Sequence, residues 1–163
     1  MVNPPVRVLL GELLDEALGA VAGGIMERGV EVKVYNKTMP LYGDRARLVE
    51  IWQNMVENAV KYMGEQSEPR IEIGVETRGA DYVFFVRDNG IGVDQRYKYK
   101  VFGLFEKLDP KSEGTGIGLA LVKRIVELYK GNIWLESAGV GHGTCFWFTL
   151  PEAVNKQKGG ENV

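Results

Sequence analysis

Residues 45–63 constrain the fold more than any other part of the sequence. Their apolar side chains recur three and four positions apart, which predicts one long helix with a continuous buried stripe. The stripe consists of Leu48, Ile51, Trp52, Met55, Val56, Ala59 and Val60. Asp44, directly before the segment, is a suitable N-cap. With 163 residues, the chain suits one compact domain and is long enough to bury a core around such a helix.

Shorter patterns predict the other elements. Apolar residues at helical spacing predict helices over residues 12–28 and 115–129, which Gly29 and Gly131 end. Alternating or continuously apolar runs predict about five strands, at residues 30–36, 70–77, 82–88, 132–137 and 144–151. This order predicts an α+β fold, a two-layer sandwich in which three helices pack on one face of a mixed sheet of about five strands.

Two segments lack a regular period. Residues 89–113 contain four glycines or prolines and four lysines without helical or strand periodicity. An irregular stretch of this length in a compact domain is usually either functional or disordered. The polar, glycine-bearing C-terminus predicts a flexible tail or linker over residues 152–163, after a domain at residues 1–151.

Composition excludes several classes of protein. The formal net charge is -2, whereas a nucleic-acid-binding domain is usually basic. No apolar run approaches the roughly 20 residues that cross a bilayer, so we expect no direct membrane insertion. Cys145 is the only cysteine, which rules out an internal disulfide and fits a reducing compartment. We therefore expect a cytoplasmic domain.

A polar stripe lies beside the apolar stripe of the long helix. Helical geometry brings Asn54, Asn58, Lys61 and Tyr62 to one side. Asparagine offers neutral carbonyl oxygens, which suit Mg²⁺ when phosphates supply its other ligands. Lys61 can neutralise phosphate, and Tyr62 can stack on a base or simply pack. The alternative is an ordinary solvated helix face.

The sequence RDNGIGVD follows the most apolar strand. Asp88 stands where that strand ends, and a carboxylate there can accept a hydrogen bond from an exocyclic amine such as that of adenine. Gly90 and Gly92 allow the backbone to approach a flat ring closely. The alternative is a tight turn, since Asp-Asn-Gly is common in turns.

A run of alternating glycines opens the last helix. Gly114, Gly116 and Gly118 precede or begin it, and the free N–H groups of a helix start bind anions. The spacing differs from the dinucleotide fingerprint because residue 119 is Leu, and the chain contains no Gly-Lys pair of a Walker loop. The alternative is a flexible glycine hinge.

Together, these motifs resemble those of the Bergerat-fold ATPases, which include gyrase-type topoisomerases, large heat-shock chaperones, mismatch-repair ATPases and histidine kinases. NMVENAVKY resembles the N box, DNGIG the G1 box, VFGLFEKL the F box and GTGIGLALV the G2 box. The closing GHGTCFWFTLP is similar to the final Thr-bearing strand, so the resemblance covers about residues 6–151. It implies a flexible ATP lid over residues 95–113.

Asn54 indicates which branch of the family the chain resembles. Gyrase-like branches have a water-activating Glu at this position, and a neutral amide cannot act as a general base. The site therefore resembles that of sensor histidine kinases, which hold ATP for transfer. Phe102 and Phe105 match the F box, whereas Leu104 stands where many kinases have Pro. The sequence FGLFEKLDPKSEGTGIGL is most similar to that of phytochrome-like and PAS-linked sensor kinases.

The resemblance implies that the domain binds ATP and Mg²⁺. Asn58, helped by Asn54, would hold Mg²⁺, and Lys61 would contact phosphate; these three residues are the expected catalytic set. Tyr62 would flank the adenine, and Asp88 would accept a hydrogen bond from the adenine amine.

The remaining binding residues are implied in the same way. Gly90 and Gly92 would form the floor of the base pocket. Lys107 would reach phosphate from the lid, and Thr144 would support Asp88 or a water molecule in the pocket. Five residues would meet the phosphates through backbone N–H groups: Gly114, Thr115, Gly116, Gly118 and Leu119.

The resemblance also implies partners. A histidine kinase needs a phosphoacceptor histidine on a dimerisation domain, but the only histidine here is His142, in a glycine-rich turn that predicts a surface position. The expected partners are therefore a separate histidine-bearing dimerisation domain and a response regulator receiver domain. Two alternatives remain: a serine kinase of the anti-sigma type, and a non-catalytic nucleotide-sensing module.

Overall fold

A computed structural model describes residues 3–93, 102, 118–137 and 139–154 of the chain. The described residues include four helices and seven strands: β1 (Val6–Leu9), α1 (Leu10–Ala20), α2 (Ala22–Arg28), β2 (Glu31–Val34), β3 (Pro40–Gly43), α3 (Arg45–Lys61), β4 (Arg70–Arg78), β5 (Asp81–Asp88), α4 (Gly118–Leu128), β6 (Ile133–Glu136) and β7 (Thr144–Phe148). A further short helix covers residues 151–154. Apart from Phe102, the predicted lid lies outside the described residues.

The predicted α+β sandwich with a five-stranded mixed sheet is confirmed. Its strand order is β2-β4-β5-β7-β6, in which β2 runs parallel to β4 and every other neighbouring pair is antiparallel. One face of the sheet and the helices enclose the main apolar core. Trp52 of α3 lies at its centre, with its ring 5.7 Å from that of Phe84 and 5.5 Å from that of Phe148. The apolar stripe of α3 therefore packs directly on the neighbouring strands β5 and β7.

The single helix predicted over residues 12–28 is wrong in detail. The chain forms α1, turns at Val21 and continues as α2, because Val21 leaves helical geometry with φ -113° and ψ 13°. Gly19, Gly23 and Gly24 surround this turn, and each glycine weakens a helix interior relative to alanine. The break therefore follows from a cluster of poor helix formers.

A two-stranded sheet of β1 and β3 was not predicted. The strands pair antiparallel from Val6 with Gly43 to Leu9 with Pro40. Neither VRVL nor PLYG alternates over its full length, and the second contains the turn-favouring residues Pro40 and Gly43. Pro40, which the sequence marks as a breaker, is the first residue of β3. Proline is tolerated there because the first residue of a strand need not donate to the ladder.

The start of α3 is fixed by a buried carboxylate. Asp44 accepts hydrogen bonds from the backbone N–H groups of Ala46, at 3.1 Å, and Arg47, at 3.4 Å, which confirms the predicted N-cap. Its own N–H donates to the Tyr129 hydroxyl at 2.9 Å, just after the end of α4. Since α3 and α4 also pack side by side, the start of α4 comes to lie near the C-terminal half of α3.

Candidate functional site

The motifs predicted from the sequence meet at one edge of the main sheet. Asp88 ends β5, Lys61 ends α3, and Gly118 begins α4 in the described part of the chain. Side chains alternate along β5, so Asp88 shares the helix-facing side with Phe84 and Val86, whereas Phe85 belongs to a cluster on the opposite face. Asp88 therefore lies on the same side of the sheet as the polar stripe of α3.

Asp88 is the most perturbed carboxyl group of the site. It accepts the Gly90 N–H at 2.8 Å and the backbone N–H of Thr144, its partner on β7. Burial raises its pKa from 3.8 to about 6, against the lowering effect of these hydrogen bonds. The folded chain therefore binds more protons than the unfolded chain between about pH 4 and pH 6, and the stability contributed by this group falls as pH rises through that window.

The glycines of DNGIG occupy positions where a side chain would collide. A Cβ on Gly90 would lie 3.0 Å from both the Asp88 carboxylate and the Met63 Cα. Gly92 has a φ of +77°, and its Cβ would overlap the carbonyl of Gly139. The segment is thus a tight turn that packs closely against neighbouring protein backbone, and this packing by itself requires glycine at both positions.

The amide stripe of α3 faces the beginning of α4. Asn54 donates from Nδ2 to the Glu50 carbonyl at 2.7 Å, and its Oδ1 lies 3.1 Å from the position of a Cβ on Gly118. Asn58 and Lys61 lie further along the helix and are half-buried. One side of α3 and the first turn of α4 therefore border the same space.

The end of α3 is also joined to the glycine turn. Tyr62 follows the helix, is half-buried, and accepts the Ile91 N–H on its carbonyl at 3.0 Å. Phe102 packs edge-on against Phe146 of β7, with 5.8 Å between the ring centroids. The structure therefore brings the N-box helix, the DNGIG turn and one F-box phenylalanine into one neighbourhood.

The other predicted residues fall into two groups. Thr144 is buried and holds Asp88 through its backbone rather than through its hydroxyl, while the Leu119 side chain belongs to the core. His142 is exposed in the turn between β6 and β7, as the sequence predicts. Lys107, Gly114, Thr115 and Gly116 lie outside the described residues.

Sequence reasoning missed two side chains that brace the site. Asn89 accepts the Arg70 N–H at 2.8 Å and donates to the Glu68 carbonyl at 2.8 Å, so it ties the turn to the start of β4. The Ser137 hydroxyl accepts the Val93 N–H at 3.1 Å from the other side. The signal for Asn89 was its place in Asp-Asn-Gly, whereas Ser137 had none beyond its position after a strand.

The described residues restrict the kind of metal site that they can form. They contain no group of three or more His, Cys, Asp or Glu residues that could hold a metal ion by themselves. Any metal held here would need amide oxygens and ligands from another molecule. Within the same residues, no helix has the length and apolar character needed to cross a membrane.

Comparison with known proteins identifies the arrangement. A family model described as "Histidine kinase-, DNA gyrase B-, and HSP90-like ATPase" matches residues 43–154. The methanogenesis regulatory histidine kinase FilI of Methanothrix harundinacea is 48% identical over 93% of this chain, and the phytochrome-like protein Cph1 of Synechocystis is 38% identical over 86%. The matches cover only 17% and 19% of those relatives, so the chain corresponds to a small part of each.

Solved structures agree with the sequence relatives. The catalytic domain of histidine kinase ThkA has a TM-score of 0.77 and 25% identity, with 94% of this chain and 99% of that chain covered. Full-length ShkA in complex with AMPPNP, an ATP analogue, has a TM-score of 0.75 and 25% identity, with 91% of this chain and 31% of that chain covered. The resemblance to histidine kinase catalytic domains is therefore one of both sequence and fold.

Proposed function

Because this chain belongs to the histidine kinase-, DNA gyrase B- and HSP90-like ATPase family, we propose that it holds Mg-ATP for transfer of the γ-phosphoryl group to a histidine. It is an ATP-binding domain related to the catalytic domains of histidine kinases. The recipient histidine would lie on a separate dimerisation domain, and a response regulator receiver domain would take the phosphoryl group from there.

The observation that carries the proposal is the chemistry around Asn54. An amide replaces the carboxylate that would activate water, and its Nδ2 is committed to the Glu50 carbonyl at 2.7 Å. The Glu50 carboxylate, one helical turn before Asn54, lies 3.4 Å from the Arg47 guanidinium. Such a site favours positioning and charge neutralisation, which phosphoryl transfer requires, over water activation.

The residues fit a nucleotide with its metal. The half-buried Asp88 carboxylate suits the exocyclic amine of adenine, with Gly90 and Gly92 under the ring and Tyr62 beside it. Asn58, helped by Asn54, would supply neutral oxygens to Mg²⁺, and Lys61 would meet phosphate. The N-terminus of α4, with Gly118 and Leu119, would meet phosphate through backbone N–H groups.

Five further residues complete the proposed site. Thr144 supports Asp88 through its backbone N–H. The others would meet phosphate from the segment before α4: Lys107, Gly114, Thr115 and Gly116. Their part in the site rests on the family resemblance of GTGIGLALV and VFGLFEKL.

The proposed partners follow from where the only histidine lies. His142 is exposed in the connection between β6 and β7, and its neighbour Gly141 has a φ of +87°, so it has no helical context. An acceptor histidine must therefore come from another domain. Since two-component partners act in the cytoplasm, we propose that location for this domain.

Transfer can be tested by combining this chain with a separate histidine-bearing dimerisation domain, such as that of FilI, and Mg-ATP labelled at the γ-phosphate. We expect label on the histidine and little release of inorganic phosphate. Label on a serine of an added protein would favour an anti-sigma-type kinase. Binding of Mg-ATP in calorimetry without label on any protein would instead indicate a non-catalytic nucleotide-sensing module. Rapid phosphate release would contradict the interpretation of Asn54.

The metal role of Asn58 leads to a separate prediction. Asn58→Ala is expected to weaken ATP binding in Mg²⁺ by about 1–2 kcal/mol, because a neutral oxygen ligand is lost. In EDTA the loss should be small. Calorimetry under both conditions measures the difference, with Gln53→Ala as a control for removing a half-buried amide elsewhere on α3. Equal losses with and without Mg²⁺ would remove Asn58 from the metal site.

A further inference from the structure

We propose that Ser137 is a positioning residue for recognition of the nucleotide base, although it lies outside the four boxes and the closing Thr-bearing strand. The inference rests on the proposed function, since it assigns Ser137 to the pocket built around Asp88. Ser137 follows β6 directly, where the chain turns towards β7. Its side chain is half-buried at that turn.

One hydroxyl group holds three backbone groups from two segments. Ser137 accepts the Val93 N–H at 3.1 Å and the Gly139 N–H at 3.2 Å, and it donates to the Gly143 carbonyl at 2.8 Å. A serine hydroxyl offers one donor and two acceptor positions, so it can serve all three at once. Val93 belongs to the end of the DNGIGV segment, while Gly139 and Gly143 belong to the β6–β7 turn.

These contacts join Ser137 to the base pocket. The Gly143 N–H donates to the Gly90 carbonyl at 3.1 Å, and the Gly141 N–H donates to that of Ile91. Thr144, next in the chain, gives its N–H to the Asp88 carboxyl. Ser137 therefore ties together the two segments that place Asp88 and Gly90.

Loss of the Ser137 hydroxyl should weaken recognition of the nucleotide base and leave binding of the phosphates unchanged. Val93 and Gly143 are both buried, so their polar backbone groups would lose a partner that water does not readily replace. The turn would shift to satisfy them, and Asp88 and Gly90 would shift with it. The phosphate side, at the start of α4, borders Asn54 instead.

The test compares ATP with ITP, in which a carbonyl replaces the exocyclic amine. Calorimetry is expected to show that Ser137→Ala weakens ATP binding about 5- to 20-fold and ITP binding less than about 2-fold. Ser137→Thr, which keeps the hydroxyl, should restore the preference for ATP. A role in stability alone would change both nucleotides together, so the ratio of the two affinities is the diagnostic quantity.

Thr149→Val provides the matched control. Thr149 also accepts a backbone N–H, that of Asn132 at 3.0 Å, but at the opposite end of the β6–β7 pair. Valine removes the hydroxyl at similar volume, and the ATP/ITP ratio should stay at the value of the unchanged chain. If Ser137→Ala does not fold, Ser137→Cys tests the same ratio, because a thiol is only a weak acceptor.

The outcomes separate this inference from the proposed function. If the unchanged chain distinguishes ATP from ITP and Ser137→Ala keeps the full preference, only the role of Ser137 is overturned. If the unchanged chain binds both nucleotides equally, base reading at Asp88 fails and the inference fails with it. A variant that loses both affinities in proportion would make Ser137 a structural residue only.

Discussion

Replacing Asp88 by asparagine is expected to weaken ATP binding by about 1–3 kcal/mol, which corresponds to roughly 5- to 150-fold. The carboxylate can accept the adenine amine while it also holds the N–H groups of Gly90 and Thr144. An asparagine has one acceptor oxygen, and its NH₂ group would face a donor. Calorimetry with Mg-ATP measures the loss. Affinity within about twofold of the unchanged chain would remove Asp88 from the base site.

Asp44→Asn is the matched control for this substitution. Asp44 is another carboxylate that accepts backbone N–H groups, those of Asn3, Ala46 and Arg47, but it caps the opposite end of α3. Its replacement should lower the melting temperature and leave ATP affinity unchanged. Together, the two variants separate loss of a nucleotide contact from loss of a structural carboxylate.

The pH dependence of binding provides a second measure of the same contact. Because the Asp88 carboxyl has a pKa of about 6, it takes up a proton as pH falls from 7 to 5, and the proton occupies an acceptor position. ATP affinity should therefore fall over this range. Since the nucleotide phosphates titrate nearby, the relevant quantity is the difference from Asp88→Asn, which lacks this group. Parallel profiles for the two chains would contradict the assignment.

Gly143→Ala is expected to lower the free energy of unfolding more than Gly141→Ala does. Gly143 has a φ of +73°, and a Cβ there would overlap the Asp88 carbonyl and lie 3.0 Å from the Asn89 Cα. The left-handed conformation costs a residue with a side chain about 1–2 kcal/mol, and the collision should add about 1–3 kcal/mol. ATP affinity should fall as well, because the turn that carries Asp88 must move.

Gly141→Ala separates the two contributions. Gly141 lies in the same turn with a φ of +87°, but among the described residues no atom other than those of its chain neighbours lies within 4 Å of its Cβ position. This variant should lose only the conformational term, about 1–2 kcal/mol, and keep its affinity for ATP. Denaturant unfolding of both variants measures the difference. Equal losses would mean that the backbone relaxes around the added methyl group and that close packing there is unimportant.

Local patterns were sufficient for the elements that carry the motifs. The α3 stripe, the Asp44 cap and the position of Asp88 at the end of an apolar strand all depend on residues within one or two turns of the chain. The roles expected for the glycines of DNGIG and for the Asn54 amide likewise follow from residue type and spacing alone. These features allowed the fold class and the resemblance to histidine kinases to be inferred.

Other features could not be inferred because they depend on partners far away in the sequence. The β1–β3 pair joins two four-residue strands whose pairing is visible only once both lie beside the core. Asn89 reaches back to Glu68 and Arg70, and Ser137 reaches Val93 across 44 positions. Periodic patterns in a sequence report only local structure, so they do not predict contacts between residues that are far apart in the chain.

The polar stripe on α3 and the Asp88 carboxylate were thus determined by the sequence itself, because helix period and strand length place them without reference to the rest of the chain. Only the tertiary structure decided that Asp88 is buried enough to raise its pKa to about 6, and that Asn54 faces Gly118. Burial and proximity arise when α3, α4 and the sheet pack together. The burial of Asp88 and the proximity of Asn54 to Gly118 therefore depend on the packed helices and sheet together, and no single segment determines them.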